Sequence, residues 1–330
     1  MVRNIFEEMK NNVMNSRMSE MDKQKILTNL IEMKDKKVNL MITGATGVGK
    51  SSTINALFNT EVAKVGTSVD PETMEIEKYE LNNLVIWDTP GLGDGKEADN
   101  RHSKNIINKL YEKDKNGEYL IDLVLVLLDG SSRDLGTSFE LINNVIIPNL
   151  GENKKNRILV AINQADMAMK GRYWNTKENK PEAKLEKFLE EKVESVRRRI
   201  KEATRVDIEP IYFSAGYKED GETQLPYNLS KLLYYILEYT PKEKRIVYVE
   251  NSNKDKEMWK DNDELIDYRS GILEKVLEGV TKGTTIGAGI GQAVGSLVGL
   301  GGVGRIVGSV AGGIVGGVIE IGKGIFGGFF

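Results

Sequence analysis

Short continuous apolar runs alternate with longer amphipathic segments along the middle of the chain. Apolar runs of this length are typical of parallel strands that are covered on both faces, and amphipathic segments are typical of the helices that cover them. The predicted strands are 38–44, 74–81, 84–91, 120–130, 157–166 and 208–216, and the predicted helices between them lie near 100–113, 137–148, 182–204 and 227–238. We therefore predict an α/β fold with a doubly wound, mostly parallel six-stranded sheet over residues 37–242.

Amphipathic helices are predicted on the N-terminal side of this sheet, in residues 1–36. Met9 and Val13 lie four residues apart on one helical face, and Ser19 with Asp22 forms a capping box before the next apolar positions. Two interpretations of this segment remain open at the level of sequence. Its helices either pack on the sheet domain or form an arm that binds a partner or a second copy of the chain.

Two segments of contrasting composition follow the predicted sheet domain. Residues 243–282 are charged and mostly helical in pattern, which is typical of a charged helical linker or of a small helical extension. Residues 283–330 contain 18 of the 34 glycines of the chain and only three charged residues. The chain therefore joins an ordinary charged globular part to a glycine-rich apolar tail.

The glycines of the tail recur every four positions, which places them on one face of a helix where two backbones can approach closely. They lie at 283, 287, 291, 295 and 299, and again at 304, 308, 312 and 316. Residues 284–304 are 21 consecutive uncharged residues, enough to cross a hydrocarbon core of about 30 Å. We expect the tail to associate with lipid on the cytoplasmic face of a membrane, as a helical hairpin that turns near Gly301 or Arg305. The alternatives are a flexible tail and a helix packed on the preceding domain.

The charge balance and the rare residue types exclude several classes of function. The chain has 46 Lys and Arg against 49 Asp and Glu, so a general nucleic-acid binder, which needs a basic excess, is not expected. Cysteine is absent, which excludes a disulfide scaffold and a cysteine nucleophile. The one histidine, His102, leaves no histidine-based metal site, and we expect it on the surface.

The sequence GATGVGKS, from Gly44 to Ser51, fits the pattern G-x-x-x-x-G-K-[ST] and stands between a predicted strand and a predicted helix. Backbone N–H groups of such a loop point at phosphate oxygens, and glycines keep Cβ atoms out of their way. Lys50 is predicted to bridge the β- and γ-phosphates, and the Ser51 hydroxyl to bind Mg²⁺. The predicted nucleotide-binding residues of the loop are Gly44, Ala45, Thr46, Gly47, Val48, Gly49, Lys50, Ser51 and Ser52.

The sequence DTPG, from Asp88 to Gly91, ends the third predicted strand. In open α/β sheets ligands bind at the carboxyl ends of the strands, so Asp88 is expected beside the phosphate loop. We predict that Asp88 holds Mg²⁺ through a water molecule and that the Gly91 N–H contacts the γ-phosphate.

The sequence NQAD follows the fifth predicted strand and points to guanine. The carboxylate of Asp166 is able to accept hydrogen bonds from guanine N1–H and N2–H₂ together, a pair that adenine lacks. Asn163 is expected either to contact the base edge or to brace the phosphate loop. After the sixth strand, Ser214 and Ala215 begin the sequence SAG, and the Ala215 N–H is a candidate donor to guanine O6.

Together GATGVGKSSTINALFN, WDTPGLGD, INQAD and FSAG resemble the motifs of a TRAFAC-class GTPase with an Era-like domain, over about residues 37–240. The phosphate loop also resembles those of the septin, chloroplast-translocon and immunity-related GTPases. The resemblance implies a Ras-like P-loop fold, GTP as substrate, GDP as product and Mg²⁺ as cofactor. It also implies a threonine that completes the Mg²⁺ shell, best matched by Thr73, with Thr67 as the alternative.

Three departures from the family pattern qualify this resemblance. Gln164 stands where the base motif usually has lysine, so its stem is expected to pack across the base without a charge. Gly47 stands where potassium-activated relatives have asparagine. Leu92 stands where Ras-like enzymes have a water-orienting glutamine, which implies slow intrinsic hydrolysis that a residue from elsewhere accelerates. By resemblance, a homodimer or oligomer formed through the GTPase domain is expected.

Three arginines near the predicted site are candidates for that accelerating residue, although a solvated surface charge is the more ordinary role for each of them. They are Arg101, Arg133 and Arg172. We predict an enzyme that hydrolyses GTP and uses its nucleotide state to control the tail. The alternatives are a GTP-dependent binding switch with negligible turnover and a pore-forming effector that the GTPase domain holds closed.

Overall fold

A computed structural model of the 330-residue chain describes residues 5–16, 18–58, 64–65, 76–93, 95–219, 222–260 and 268–284. Its strands are β1 (Val38–Gly44), β2 (Lys64–Val65), β3 (Glu77–Leu81), β4 (Leu84–Asp88), β5 (Leu123–Asp129), β6 (Ile158–Asn163), β7 (Trp174–Asn175), β8 (Lys180–Pro181), β9 (Ile211–Tyr212), β10 (Tyr217–Glu219) and β11 (Glu222–Gln224). Its α-helices are α1 (Ile5–Asn15), α2 (Glu20–Lys34), α3 (Lys50–Leu57), α4 (Lys96–Tyr111), α5 (Gly136–Glu140), α6 (Ala183–Thr204), α7 (Leu229–Glu238), α8 (Arg245–Asn251) and α9 (Tyr268–Val280). Helix α5 continues as a π-helix over Leu141–Ile146.

The main sheet has the strand order β2-β3-β4-β1-β5-β6-β9. Strands β4, β1, β5, β6 and β9 are parallel, and β3 pairs antiparallel with β4 at one side of the sheet. The predicted α/β fold with a mostly parallel sheet is confirmed, and all six predicted strands are present. The edge strand β2 is an addition, because its two residues are too few to give a recognisable pattern.

The parallel strands are apolar throughout because helices cover both of their faces. All seven residues of β1 and all six of β6 are buried. One layer of core includes side chains from α3, α7, α8 and α9, and the other includes side chains from α4, α5 and α6. Since the carboxyl ends of β1, β4, β5 and β6 meet at one edge, the loops that follow them come together there.

Residues after 242 pack against the sheet domain. Tyr248 of α8 is fully buried in the same core as β1, and Ile272 of α9 belongs to that core. Arg245 is buried and donates to the Thr240 carbonyl and to Glu278. The interpretation of residues 243–282 as a charged linker is therefore wrong for the part that is described, and the alternative, a small helical extension, is correct.

The N-terminal helices pack against this extension. Met9 and Val13 are fully buried. The Asp22 backbone N–H donates to Ser19 Oγ at 3.1 Å, so the predicted cap of α2 is present. Asn29 Nδ2 donates to the carbonyls of Val280 and Lys282 at 2.8 and 2.9 Å, so α2 caps the end of α9. Of the two interpretations of the N-terminal segment, packing on the domain is the one the structure shows.

The root of the glycine-rich tail lies at this junction of α2 and α9, and residues 285–330 lie outside the described residues. No helix within the described ranges is long and apolar enough to cross a membrane. The helical hairpin in the tail therefore stays a prediction.

Candidate nucleotide site

The phosphate loop joins the end of β1 to the start of α3 at the carboxyl edge of the sheet. Gly47 and Gly49 have φ values of +77° and +86°, which favour glycine. A Cβ on Gly44 would lie 2.5 Å from the Leu127 carbonyl oxygen, and one on Gly49 would lie 2.5 Å from Asn163 Nδ2. The motif glycines are therefore required by backbone conformation and by close approach of neighbouring strands.

Lys50 and Ser51 form the first turn of α3, where unpaired backbone N–H groups favour an anion. The Lys50 Nζ donates to the carbonyls of Gly44 and Ala45 at 3.4 and 3.3 Å, so the ammonium lies over the loop. The Ser51 side chain is exposed at the start of the helix. This arrangement presents one fixed cation and several N–H donors to a phosphate group.

Asp88 lies at the end of β4, directly beside β1, where its partner in register is Ile42. The residue is 8% exposed, and its Oδ1 has no hydrogen-bond partner in the described part of the chain. Burial raises the pKa of this carboxyl to about 6, although the nearby Lys50 opposes the rise. A buried acceptor without a donor is costly unless a ligand satisfies it, so Asp88 fits the role of holding Mg²⁺ or its bound water.

The segment after Asp88 lies against the phosphate loop. The Thr46 backbone N–H donates to the Leu92 carbonyl at 3.3 Å, and Leu92 forms an isolated bridge with Ala45. A Cβ on Gly91 would lie 2.5 Å from the Thr46 backbone nitrogen, so glycine is required there by close approach. The Gly91 backbone is thus held where we predicted a contact to the γ-phosphate.

The Leu92 side chain is 5% exposed and packs in the core with α4 residues such as Ile106. An aliphatic side chain in this position has no group that orients a water molecule. The three candidate arginines, Arg101, Arg133 and Arg172, are exposed. Their expected role as solvated surface charges agrees with this exposure. Thr67 and Thr73, the candidates for the Mg²⁺-shell threonine, lie outside the described residues.

Asn163 joins two loops of the site. Its Nδ2 donates to the Val48 carbonyl at 2.9 Å, and its Oδ1 accepts from the Ala215 N–H at 3.0 Å. The bond to Val48 is the contact that the predicted bracing role of Asn163 requires, and a contact to the base edge stays a prediction. The Ala215 N–H, predicted as a donor to guanine O6, donates to Asn163 in the described conformation, so its contact to a base stays a prediction. Ser214, beside it, is buried and accepts from the Gly216 N–H through Oγ at 3.3 Å.

Asp166 lies one turn beyond Asn163 and is 6% exposed. Its Oδ1 is buried, and no hydrogen bond reaches this oxygen from the residues that the structure describes. Gln164 has a positive φ of 59°, and its Nε2 donates to the Gly47 carbonyl at 3.0 Å. The Gln164 side chain therefore lies on the phosphate loop, and the carboxylate of Asp166 is left as the acceptor for a base.

His102 is the residue that sequence reasoning placed wrongly. It was expected on the surface, but it is fully buried on α4, with Nδ1 3.2 Å from the Gly91 carbonyl oxygen. The buried residues of α4 are His102, Ile106 and Leu110, which lie at a spacing of four. This helical spacing was the signal in the sequence that His102 shares the buried face.

Residues 39–164 match the family model described as 50S ribosome-binding GTPase. The translocase of chloroplast 125 from Physcomitrium patens is 35% identical over 103 residues, which are 29% of this chain and 9% of that protein. The interferon-inducible GTPase 1 of Mus musculus is 37% identical over 91 residues, 26% of this chain and 22% of the relative. The uncharacterized protein YfjP of Escherichia coli K12 is 31% identical over 131 residues, 38% of this chain and 41% of the relative.

The chain therefore spans less than half the length of each of these relatives. A solved structure of the chloroplast translocon components atToc33 and psToc159 aligns with a TM-score of 0.43 at 18% identity, covering 72% of this chain and 95% of that one. The family match, the parallel sheet and the geometry of the phosphate loop agree with one another, and over residues 39–164 the chain is similar to a P-loop GTPase domain. This similarity implies GTP as the substrate and Mg²⁺ as the cofactor.

Proposed function

We propose that this chain is a slow GTPase whose nucleotide state controls a C-terminal tail that associates with a membrane. The observation that carries the nucleotide part is the pair of buried carboxylates, Asp88 and Asp166, each with an oxygen that lacks a partner in the described residues. Asp88 ends β4 and Asp166 follows β6, two strands on opposite sides of β1, and Asn163 ties the end of β6 to the phosphate loop. One carboxylate fits a metal ion, and the other fits a base with two N–H donors.

At the phosphate end, Lys50 is the cation that stabilises the negative charge that develops on the transferred phosphoryl group. Ser51 and Asp88 would hold Mg²⁺, and the Gly91 N–H would contact the γ-phosphate. Thr73, or alternatively Thr67, completes the metal shell by resemblance to the family. Bound Mg²⁺ supplies neutralisation of phosphate charge during in-line attack by water.

Slow intrinsic turnover follows from Leu92, which is buried and has no polar group for the attacking water. We propose that a second copy of the chain supplies the missing group, so that turnover per molecule rises as copies associate. The rival function is a binding switch with negligible turnover, which the same buried leucine favours.

The tail is proposed to bind lipid on the cytoplasmic face of a membrane, since 21 uncharged residues follow Gly283. Its root is attached to α2, because Asn29 Nδ2 donates to the carbonyls of Val280 and Lys282, at the end of α9 and just beyond it. Helix α9 packs against α7, which follows the SAG loop along the chain. These two packed helices are the route by which the nucleotide state would reach the tail.

The test is phosphate release by the full-length protein with GTP and Mg²⁺, over a hundredfold range of protein concentration, with and without liposomes. We expect multiple turnovers that ATP does not support and a specific activity that rises with concentration or with lipid. Lys50→Ala is the control and should abolish release. One phosphate or fewer per protein, with GTP bound, would support the binding switch, and liposome leakage would point to a pore-forming effector.

A further inference from the structure

His102 lies outside the nucleotide-binding motifs, but it contacts the carbonyl of Gly91, the last residue of DTPG. His102 Nδ1 is 3.2 Å from this oxygen. A carbonyl oxygen only accepts, so Nδ1 carries the proton and donates it. The other ring nitrogen, Nε2, is buried and has no hydrogen-bond partner among the residues that the structure describes.

Packing alone does not explain a histidine at this position. A buried nitrogen without a partner destabilises the folded state relative to a paired one, and an apolar side chain of similar size would avoid that cost. Ile106 and Leu110, which share the buried face of α4, are apolar. What a histidine adds at this position, compared with an apolar side chain, is therefore its hydrogen bond to the Gly91 carbonyl.

The Gly91 carbonyl is a sensitive place for such a contact. Gly91 lies so close to Thr46 that it tolerates no Cβ, and the next carbonyl, of Leu92, accepts from the Thr46 N–H at 3.3 Å. Two successive peptide units are thus held: α4 holds the unit that contains the Gly91 carbonyl, and the phosphate loop holds the next one, which contains the Leu92 carbonyl. The Gly91 N–H lies in the preceding peptide unit, on the other side of the Gly91 Cα, so holding the Gly91 carbonyl restrains one of the backbone torsions on which the N–H direction depends.

We propose that His102 is a positioning residue that aims the Gly91 N–H at the γ-phosphate, and so gives the site its preference for a triphosphate over a diphosphate. The inference rests on the proposed function, since it assumes that this site binds guanine nucleotides. His102 acts through the backbone of Gly91 and does not touch the nucleotide. A role confined to stability would affect GTP and GDP alike, whereas this role affects the triphosphate alone.

The test measures the affinities of the full-length protein for fluorescent GDP and for a fluorescent non-hydrolysable GTP analogue, both with Mg²⁺. His102→Leu keeps the volume and removes the donor. It should weaken the analogue about tenfold, the value of about one hydrogen bond, and change GDP affinity less than about twofold. His102→Asn is the matched control, because its amide nitrogen corresponds in position to Nδ1, and it should restore most of the triphosphate affinity.

Equal losses for the two nucleotides in His102→Leu, no loss for either, or failure of His102→Asn to restore the analogue would each overturn the proposal. If His102→Leu does not fold, His102→Gln carries the amide one carbon further along the side chain, and it should show the same selective loss. Wild-type protein that binds neither nucleotide would instead refute the proposed function.

Discussion

Replacement of Asp88 by asparagine measures how much the buried carboxylate destabilises the protein when no Mg²⁺ is bound. Burial raises the pKa of this carboxyl from 3.8 to about 6, even with Lys50 nearby. Between about pH 4 and pH 6 the unfolded chain has already released the Asp88 proton while the folded protein still holds it. The free energy of unfolding therefore falls as the pH rises through this window.

The size of this loss follows from the shift. A pKa difference of about two units corresponds to about 3 kcal/mol, because one unit is worth about 1.4 kcal/mol. Asp88→Asn removes the charge that burial penalises. Without nucleotide and Mg²⁺, we expect the variant to be more stable than the wild type at about pH 7, by up to about 3 kcal/mol, and the difference to vanish near pH 4.

The measurement is urea unfolding in EDTA, followed by circular dichroism, at several pH values between about 4 and 7. Asp207→Asn is a control of opposite sign, since hydrogen bonds from Arg197 and Lys201 lower the pKa of that carboxyl. Its replacement should remove stability that is present at neutral pH and lost in acid. An Asp88→Asn variant that is less stable than the wild type at neutral pH, or whose advantage does not shrink in acid, would refute the reasoning.

The other predictions concern Asp166 at the predicted base site, Asn163 between the two loops, and the glycine-rich tail. Asp166→Asn should weaken GTP binding and favour a xanthine nucleotide, because an amide nitrogen pairs with the carbonyl at base position 2. Competition binding with both nucleotides measures this change, and unchanged GTP selectivity would contradict the assignment of Asp166 to the base. Asn163→Ala leaves the Val48 carbonyl and the Ala215 N–H without their partner. It should therefore lower the free energy of unfolding by about 1–3 kcal/mol, as urea unfolding measures. It should also weaken the binding of GTP and of GDP equally, as nucleotide titration measures. Deletion of residues 283–330 should abolish flotation with liposomes, and a truncated protein that floats as well as the full-length one would exclude the tail from lipid binding.

The positions of the phosphate loop, Asp88, Asn163 and Asp166 could be predicted from the sequence because they depend on topology. Each motif follows a buried parallel strand, and the carboxyl ends of such strands meet at one edge of the sheet. The phosphate loop also requires positive φ angles, which is a local property of the chain that glycine meets. Gly47 and Gly49 therefore identify the loop without knowledge of the rest of the fold.

What the sequence did not reveal depends on contacts between distant segments. The Ala215 N–H was assigned to a base because nothing in the pattern shows that Asn163 reaches it. The segment after residue 242 was interpreted as a linker because its overall charge obscures buried residues such as Tyr248. His102 was placed on the surface by residue type, although its spacing from Ile106 on α4 indicated a buried face.

The bond from Asn29 to the Val280 carbonyl joins residues that are 251 positions apart. During synthesis α2 leaves the ribosome early. Helix α9, which covers part of α2, follows only after almost the whole globular part has been made. At about 5–20 residues per second, that interval lasts on the order of ten seconds or more. During biosynthesis the part of α2 that α9 covers is therefore exposed until late, and exposed apolar surface of this kind favours aggregation.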